Sequence, residues 1–198
     1  VKERTPREWA GLAAREGKVL PVLRFYKVHR ADIESDPVYA ERFWRENLDR
    51  AGGTALGLLV HSVMEQAALG ESRGLEDVVR AVARSEGATA ELEALAARMA
   101  VGAMGSPVVR RAVASGRFAR EAPFCARLDG FTIEGKMDLL FVEEAGLTIV
   151  DYKTDQKPAG GFEALAETYR GQALAYCVAA EKATGLPVRE VVLLFLSE

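Results

Sequence analysis

Cysteine and histidine, the residues that most often build zinc sites, are scarce in this chain of 198 residues, which has two of each. The two cysteines, Cys125 and Cys177, are too few and too far apart for a zinc site or a four-cysteine iron–sulfur cluster. Both stand in apolar surroundings. We therefore expect buried, reduced thiols in a cytoplasmic protein that carries no iron–sulfur cluster.

A long apolar run and a basic excess are missing as well. No stretch approaches the ~20 residues of a membrane-spanning helix, so no membrane contact is expected. The 26 Lys and Arg face 29 Asp and Glu, for a net charge of −3, which argues weakly against a free-standing, tight DNA binder. It does not exclude a nuclease, because metal-binding carboxylates themselves make such a site acidic. A Gly-rich phosphate loop of the Walker type is also absent, so ATP binding is not expected.

What the chain does have is material for a core, since 49% of its residues are hydrophobic. Its length suits one domain, or one domain with an appendage. It begins with Val1 and ends soon after the strand-like run 191–196, and from this we expect a fragment of a longer polypeptide.

The hydrophobic pattern divides the chain into a helical front and a β-rich remainder. Residues 1–53 predict a helical connecting segment, with helices near 7–15 and 36–48 and a stretch at 20–26 that is either extended or helical. Periodicity and end signals predict further helices at 54–69, 75–84, 89–104 and 107–116. Strands are predicted from 120 to 153, followed by a helix over 162–185 and a strand over 188–196. This order predicts an α+β or α/β core with a helical N-terminal section.

The most informative stretch is 138–154. Alternating apolar residues predict a strand up to 142, a turn over 143–146 and a returning strand, a hairpin that brings Asp138 close to Asp151. Asp151 and Lys153 are two positions apart, so they share one face of the strand while Tyr152 points away. Burying two carboxylates side by side is costly unless a cation neutralises them. A hard divalent ion with oxygen ligands is the natural partner.

A lone histidine on an apolar helix, such as His61, is more often structural than functional. Here the motifs that follow it in the sequence favour a functional role. In chain order these are Gly57…His61…Glu65, then Glu121-Ala122-Pro123-Phe124, Gly135-x-x-Asp138, Asp151-Tyr152-Lys153-Thr154 and Gln172-x-x-x-Tyr176. Any one of them is weak, but five in this order and spacing are specific. On these residues, 54–198 resembles the RecB-type nuclease domain of the PD-(D/E)XK superfamily, found at the C-terminus of AddA and RecB helicase–nucleases.

The resemblance implies a restriction-endonuclease-like fold, with a mixed central sheet flanked by helices. It implies a metal-dependent DNA nuclease in which His61, Asp138, Asp151 and the carbonyl of Tyr152 bind Mg²⁺ or Mn²⁺. Lys153 would lie beside the attacking water, and Asp138 and Asp151 would serve catalysis through the metal. Gln172 and Tyr176, one helical turn apart, would steady the site or contact the strand passing through it.

The resemblance also implies partners and a biological setting. The substrate would be DNA, as a single strand delivered by a helicase. An upstream helicase domain and a second, partner protein chain are expected, in an assembly that processes double-strand ends for recombination repair. Residues 1–53 would be the link from the helicase domain. The alternative is an inert DNA-end-binding or scaffold module of the same fold. A free-standing nuclease of the CRISPR-adaptation type ranks low, because two cysteines cannot hold its iron–sulfur cluster.

Several single residues keep two interpretations at this point. Glu65 is either a second acceptor for His61 or an exposed glutamate, and Glu121 is either a further ligand or a strand-edge charge. Tyr176 is about as well explained as a core residue. The acids and bases just past the catalytic strand, Asp155 and Lys157, are expected to be solvated. The basic run Arg110, Arg111, Arg117 and Arg120 is interpreted first as a solvated face and second as a contact for DNA phosphates.

Overall fold

The computed structural model describes residues 22–27, 29–32, 54–71, 73–128, 131–155 and 169–196. The helices predicted at 7–15 and 36–48 lie outside these ranges, as do the turn at 129–130, the predicted solvated residue Lys157 and residues 162–168 of the last predicted helix. The architecture and its contacts are those of the described residues alone.

Four helices precede the main strands, as predicted: α1 Ala55–Gln66, α2 Leu75–Ser85, α3 Ala90–Met104 and α4 Pro107–Ser115. The side chains of Thr54, Thr89 and Ser106 cap three of them by accepting a backbone N–H from the first turn. Gly116, with φ of 60°, ends α4 in the left-handed conformation that glycine adopts without strain. The predicted boundaries are therefore confirmed to within a few residues, because local capping chemistry sets them.

The strands are β1 Val22–Lys27, β2 His29–Asp32, β3 Phe118–Leu128, β4 Phe131–Glu143, β5 Gly146–Lys153 and β6 Val188–Phe195. They form a mixed sheet in the order β2-β1-β6-β5-β4-β3. β4 pairs antiparallel with both β3 and β5, whereas β5 and β1 each pair in parallel with β6. The helix α5 Arg170–Thr184 connects β5 to β6 and ends at Gly185, as predicted.

Residues 22–27 and 29–32 correct one expectation. They form β1 and β2 within the predicted helical segment, because β1 finds a parallel partner in β6. Strand pairing of this kind depends on residues far away in the sequence, so local pattern could not decide between the extended and helical interpretations of 20–26.

Helices cover both faces of the sheet and bury two hydrophobic clusters. On one face α1 to α4 pack against residues such as Phe141, Val150 and Val192. On the other face α5 packs against residues such as Ile149 and Val191. Val150 and Ile149 are neighbours on β5 and face opposite ways, as a pleated strand requires.

The two cysteines have different environments. Cys177 is buried, as predicted, whereas Cys125 is exposed and its predicted burial is wrong. Cys125 lies on β3, an edge strand, and its Sγ is 3.7 Å from the carboxylate of Glu134 on β4.

No single helix in the described part of the chain is long and apolar enough to cross a membrane. α3 and α4 pass that test only when they are taken together across a bend of 59°. Both contribute residues to the larger core cluster, among them Ala100, Met104 and Val109.

Candidate active site

The β4–β5 hairpin places Asp138 beside the end of β5, as the sequence predicted. The turn closes at Gly146, where φ is 134° and an added Cβ would lie 2.3 Å from the carbonyl oxygen of Pro187. Only glycine fits such a position. Ladder pairing between the strands begins at Leu139 and Val150. Just before it, the Asp138 carboxylate accepts the backbone N–H of Tyr152 at 2.6 Å, so a side chain takes the place of a ladder bond.

His61 on α1 reaches across to this hairpin. Its Nδ1 is 3.2 Å from Oδ1 of Asp138, and its Nε2 is 3.1 Å from the carbonyl oxygen of Tyr152. Both ring nitrogens thus face acceptors, the arrangement of a protonated imidazole. Burial lowers the pKa of His61, but the hydrogen bond and charge of Asp138, with those of nearby acids, outweigh burial and raise the pKa to about 9.

Asp151 and Lys153 share one face of β5, while the Tyr152 ring is buried in the opposite cluster, as predicted. The ammonium of Lys153 lies 2.5 Å from Oδ2 of Asp151, and both side chains are largely shielded from water, with 11% and 3% exposed. Burial raises the pKa of Asp151 against the opposing charge of Lys153, and the charge of Asp138 raises it further. Folding therefore holds a carboxylate where its charge is unfavourable.

Gln172 and Tyr176 on α5 complete a hydrogen-bonded chain with this pair. The amide oxygen of Gln172 accepts from Lys153 at 2.8 Å, and its amide nitrogen donates to the Tyr176 hydroxyl at 2.7 Å. That hydroxyl donates to Oδ1 of Asp151 at 3.1 Å. Tyr176 is both a core residue and a site residue, because its ring is buried while its hydroxyl holds the carboxylate.

Glu121 is the residue whose role the sequence left most open. It stands opposite Asp138 in the register of β3 and β4, between the pairs Arg120–Leu139 and Ala122–Met137. Its φ of 46° is unusual for a residue with a side chain and marks local strain. Burial and the charge of Asp138 raise the pKa of its carboxyl.

Three potential ligand atoms come together around His61. One each from His61, Glu121 and Asp138 lie within 4.8 Å of one another. Imidazole with two carboxylates is a donor set that suits a divalent cation. Asp151, which stays a predicted ligand, contacts Lys153 and Tyr176 and is not one of these three residues. The Glu-x-Pro-Phe block was the signal for Glu121, but a single strand-edge glutamate gave no reason to prefer a ligand.

Behind Asp151, an aromatic contact supports Tyr176. The rings of Phe124 and Tyr176 meet edge to face, with centroids 5.6 Å apart. Phe124 also lies across Gly135 on the neighbouring strand, where an added Cβ would be 2.9 Å from its ring. The glycine of the Gly135-x-x-Asp138 motif therefore makes room for the ring that packs against Tyr176.

Three expectations about charged residues change with the structure. Arg111 binds Glu143 and Glu190, and Arg120 donates to the carbonyls of Met64 and Ala67 at the end of α1. The interpretation of these two arginines as part of a solvated basic face is wrong, because each has internal partners. Asp155 is not simply solvated either, since it accepts from the Tyr169 hydroxyl at 2.8 Å. Glu65 is exposed, and Arg110 and Arg117 are exposed as well.

Comparison with known proteins shows which family the sequence of this chain matches. A sequence model of the PD-(D/E)XK nuclease superfamily matches residues 37–197, so the match begins before residue 54, where the resemblance was placed. An ATP-dependent helicase/nuclease subunit of Bacillus thuringiensis subsp. konkukian is 30% identical over 196 residues, covering 86% of this chain and 15% of that relative. The protein of the same name from Desulforudis audaxviator is 31% identical over 154 residues, covering 69% and 12%.

A third relative with this name, from Acetivibrio thermocellus, is 29% identical over 150 residues and covers 68% of this chain and 12% of its own length. The chain thus spans about 15% or less of the curated relatives it matches. Its mixed sheet with helices on both faces agrees with the fold that the resemblance implied. Since the superfamily model covers most of its residues, the chain belongs to the PD-(D/E)XK nuclease superfamily.

Proposed function

We propose that this chain is a divalent-metal-dependent deoxyribonuclease domain that hydrolyses phosphodiester bonds. The observation that carries the proposal is the convergence of His61, Asp138, Asp151 and Lys153, drawn from one helix and two strands, within one connected set of contacts. A carboxylate crowded by another carboxylate, next to a shielded lysine, is costly to fold and typical of a functional site.

The donor set around His61 fits a divalent ion. His61 in its deprotonated form, Asp138 and Glu121 would hold it, with Asp151 and the Tyr152 carbonyl, 3.1 Å from His61, as further ligands. Mg²⁺ and Mn²⁺ both remain candidates, since carboxylates suit the first and imidazole favours the second. When bound, the ion would supply Lewis-acid polarisation of the phosphodiester and a lowered pKa for water.

The protein's own side chains have separate tasks in this proposal. Lys153 presents a fixed positive charge to the phosphate, where negative charge builds during hydrolysis, or to the attacking water. Asp151 holds the ammonium of Lys153 at 2.5 Å. Gln172 and Tyr176 fix these two groups through hydrogen bonds from α5, so that the lysine and the carboxylate cannot rotate apart.

The setting of the domain is part of the same proposal. The relatives are named as helicase/nuclease subunits, which supports DNA as the substrate, as a single strand delivered by a helicase domain of the same polypeptide. The proposal also includes a second, partner protein chain, a role in processing double-strand ends for recombination repair and a cytoplasmic location. It includes the division into a connecting segment, 1–53, and a nuclease domain, 54–198, as well.

The direct test is digestion of linear single-stranded DNA by the 198-residue chain in Mg²⁺ or Mn²⁺. We expect cutting that EDTA abolishes and that Asp138→Asn lowers by at least about 100-fold. Titration calorimetry should show Mn²⁺ binding to the wild type and its loss in Asp138→Asn. Glu134→Gln removes an exposed carboxylate from the same strand and serves as the matched control. A chain that binds no Mn²⁺ and cuts nothing would be the inert DNA-binding module instead.

A further inference from the structure

Within the part of the chain that the structure describes, Lys153 has three neighbours that hold its ammonium, and two of them are partners from the sequence motifs. Asp151 and Gln172 contact its ammonium at 2.5 Å and 2.8 Å. The third neighbour is the aromatic ring of Tyr169, whose centroid lies 4.0 Å from Nζ. That distance is well inside the ~6 Å within which a ring face attracts a cation.

The Tyr169 ring is itself fixed in place. Its hydroxyl donates to Oδ2 of Asp155 at 2.8 Å, and its ring packs against Phe195 of β6 with centroids 6.5 Å apart. Tyr169 stands immediately before α5, and its carbonyl accepts the N–H of Ala173 in the first turn. Asp155 follows Lys153 by two residues. The strand that carries the lysine therefore leads directly to the carboxylate that orients the ring over it.

A lysine side chain needs such restraint. Its flexible four-carbon stem loses rotamer entropy when it is held in one direction, and its ammonium lacks the rigid, planar fork of donors that arginine has. A face-on ring attracts the ammonium without accepting a proton or adding a negative charge. A third carboxylate at this place would be repelled by Asp138 and Asp151, which already crowd each other. An aromatic ring restrains the lysine without adding that repulsion.

We propose that Tyr169 is a positioning residue for Lys153, and that Asp155 acts through Tyr169 by holding its ring. The effect on catalysis rests on the proposed nuclease function, whereas the placement of the ring over the ammonium does not. Tyr169 touches neither substrate nor reacting atoms in this proposal; it acts by fixing the direction in which Lys153 points.

The kinetic test compares three substitutions in the 198-residue chain. Tyr169→Leu removes the ring and should lower kcat roughly 2- to 30-fold with KM for single-stranded DNA unchanged. Tyr169→Phe keeps the ring but loses the hydrogen bond, so its decrease in kcat should be smaller and should match that of Asp155→Ala, which removes the acceptor. The variant that combines the substitutions at Tyr169 and Asp155 should have a kcat no lower than either single variant, since both substitutions break the same hydrogen bond. Phe118→Leu, at an exposed ring at the start of β3, is the control.

Two further measurements separate positioning from a structural role. In a Lys153→Met background, Tyr169→Leu should have no further effect on residual cutting; an undiminished further loss would overturn the proposal. Carbon-13-labelled lysine NMR reports the placement without any activity, because the ring face shifts the Lys153 ε-methylene protons upfield. Lys153→Met assigns the signal. The shift should vanish in Tyr169→Leu and persist in Tyr169→Phe.

The outcomes also distinguish this proposal from the nuclease assignment. A Lys153 signal at the position of the exposed lysines in the wild type would refute the ring placement, whatever the chain cuts. A displaced signal in a chain that cuts no DNA would refute the nuclease proposal and leave the ring placement supported. Equal kcat in Tyr169→Leu and wild type, with the signal displaced, would refute the positioning role.

Discussion

Two clusters of charged side chains lie on the same sheet, and they differ in how their charges are balanced. In the first, which we call the arginine cluster, the guanidinium of Arg111 contacts Glu143 at 2.6 Å and Glu190 at 2.7 Å. Thr148 donates a further hydrogen bond to Glu143. The hydrogen bond from Arg111 lowers the pKa of Glu143, so folding favours the ionised carboxylate.

The second cluster is the candidate site, where acids crowd one another. Burial raises the pKa of Asp151 despite the charge of Lys153, and burial with the charge of Asp138 raises the pKa of Glu121. Glu121 also has a strained backbone, with φ of 46°. The arginine cluster therefore supports the fold, whereas the site keeps charges that the fold alone would not favour. Sites of function show this pattern, because activity and stability make opposing demands.

The largest expected effect is a loss of nuclease activity, and it tests whether the candidate site serves function and not stability. Asp151→Asn should lower cutting of single-stranded DNA by about 100-fold or more. Its free energy of unfolding should stay within about 1 kcal/mol of the wild type, because removing a carboxylate whose charge burial disfavours offsets the loss of its ion pair with Lys153. Nuclease rates and urea melts measure the two quantities. A loss of stability as large as that expected for the arginine cluster would show that Asp151 is structural.

The converse change is Arg111→Met. It removes the ion pair of Glu190, a carboxylate that is 6% exposed, and should cost about 3 kcal/mol of unfolding free energy. Cutting per folded molecule should not change, since Arg111 contacts no site residue. Arg110→Met, at the exposed neighbouring position, should stay within about 0.5 kcal/mol. Equal melts for the two variants would contradict the assigned role of the cluster.

Two substitutions of Glu121 separate the effect of its backbone strain on stability from the effect of its charge. Glu121→Gly removes both and should raise the unfolding free energy by about 1 kcal/mol, because glycine adopts a positive φ without strain. Glu121→Gln keeps the strain and removes the charge. Both should weaken Mn²⁺ binding in calorimetry, but only the glycine variant should gain stability from its backbone. A glycine variant less stable than the glutamine variant would refute strain at this position.

Much of this was accessible from sequence, for identifiable physical reasons. Helix ends at Thr54, Ser106 and Gly185 follow from local capping chemistry. The hairpin that joins Asp138 to Asp151 follows from alternation and a glycine turn. The pairing of Asp151 with Lys153 on one face follows from the two-residue period of a strand.

What the sequence could not give depends on contacts between distant segments. β1 forms because β6 is there to pair with, and β2 pairs in turn with β1. Arg111 on α4 is not part of a solvated face, because carboxylates on β4 and β6 contact it. The strain at Glu121 is a property of its position opposite Asp138. Tyr169 over Lys153 is of the same kind, since nothing in the local pattern places a ring from the start of α5 over an ammonium on β5.

The smallest expected effect is a dependence on pH that belongs to the arginine cluster. The pKa of Glu143 is lower in the folded chain than its ordinary 4.5. Its contribution to stability is therefore fully present above the unfolded pKa and is lost as the pH falls through the folded one. About a third of this side chain is exposed, so the contribution is modest. Urea melts across the acid range should show a shallower decline for Glu143→Gln than for the wild type. In an Arg111→Met background the same substitution should make a much smaller difference, because the guanidinium that chiefly lowers the pKa is gone and only the hydrogen bond from Thr148 remains; an undiminished difference would assign the acid sensitivity to another group.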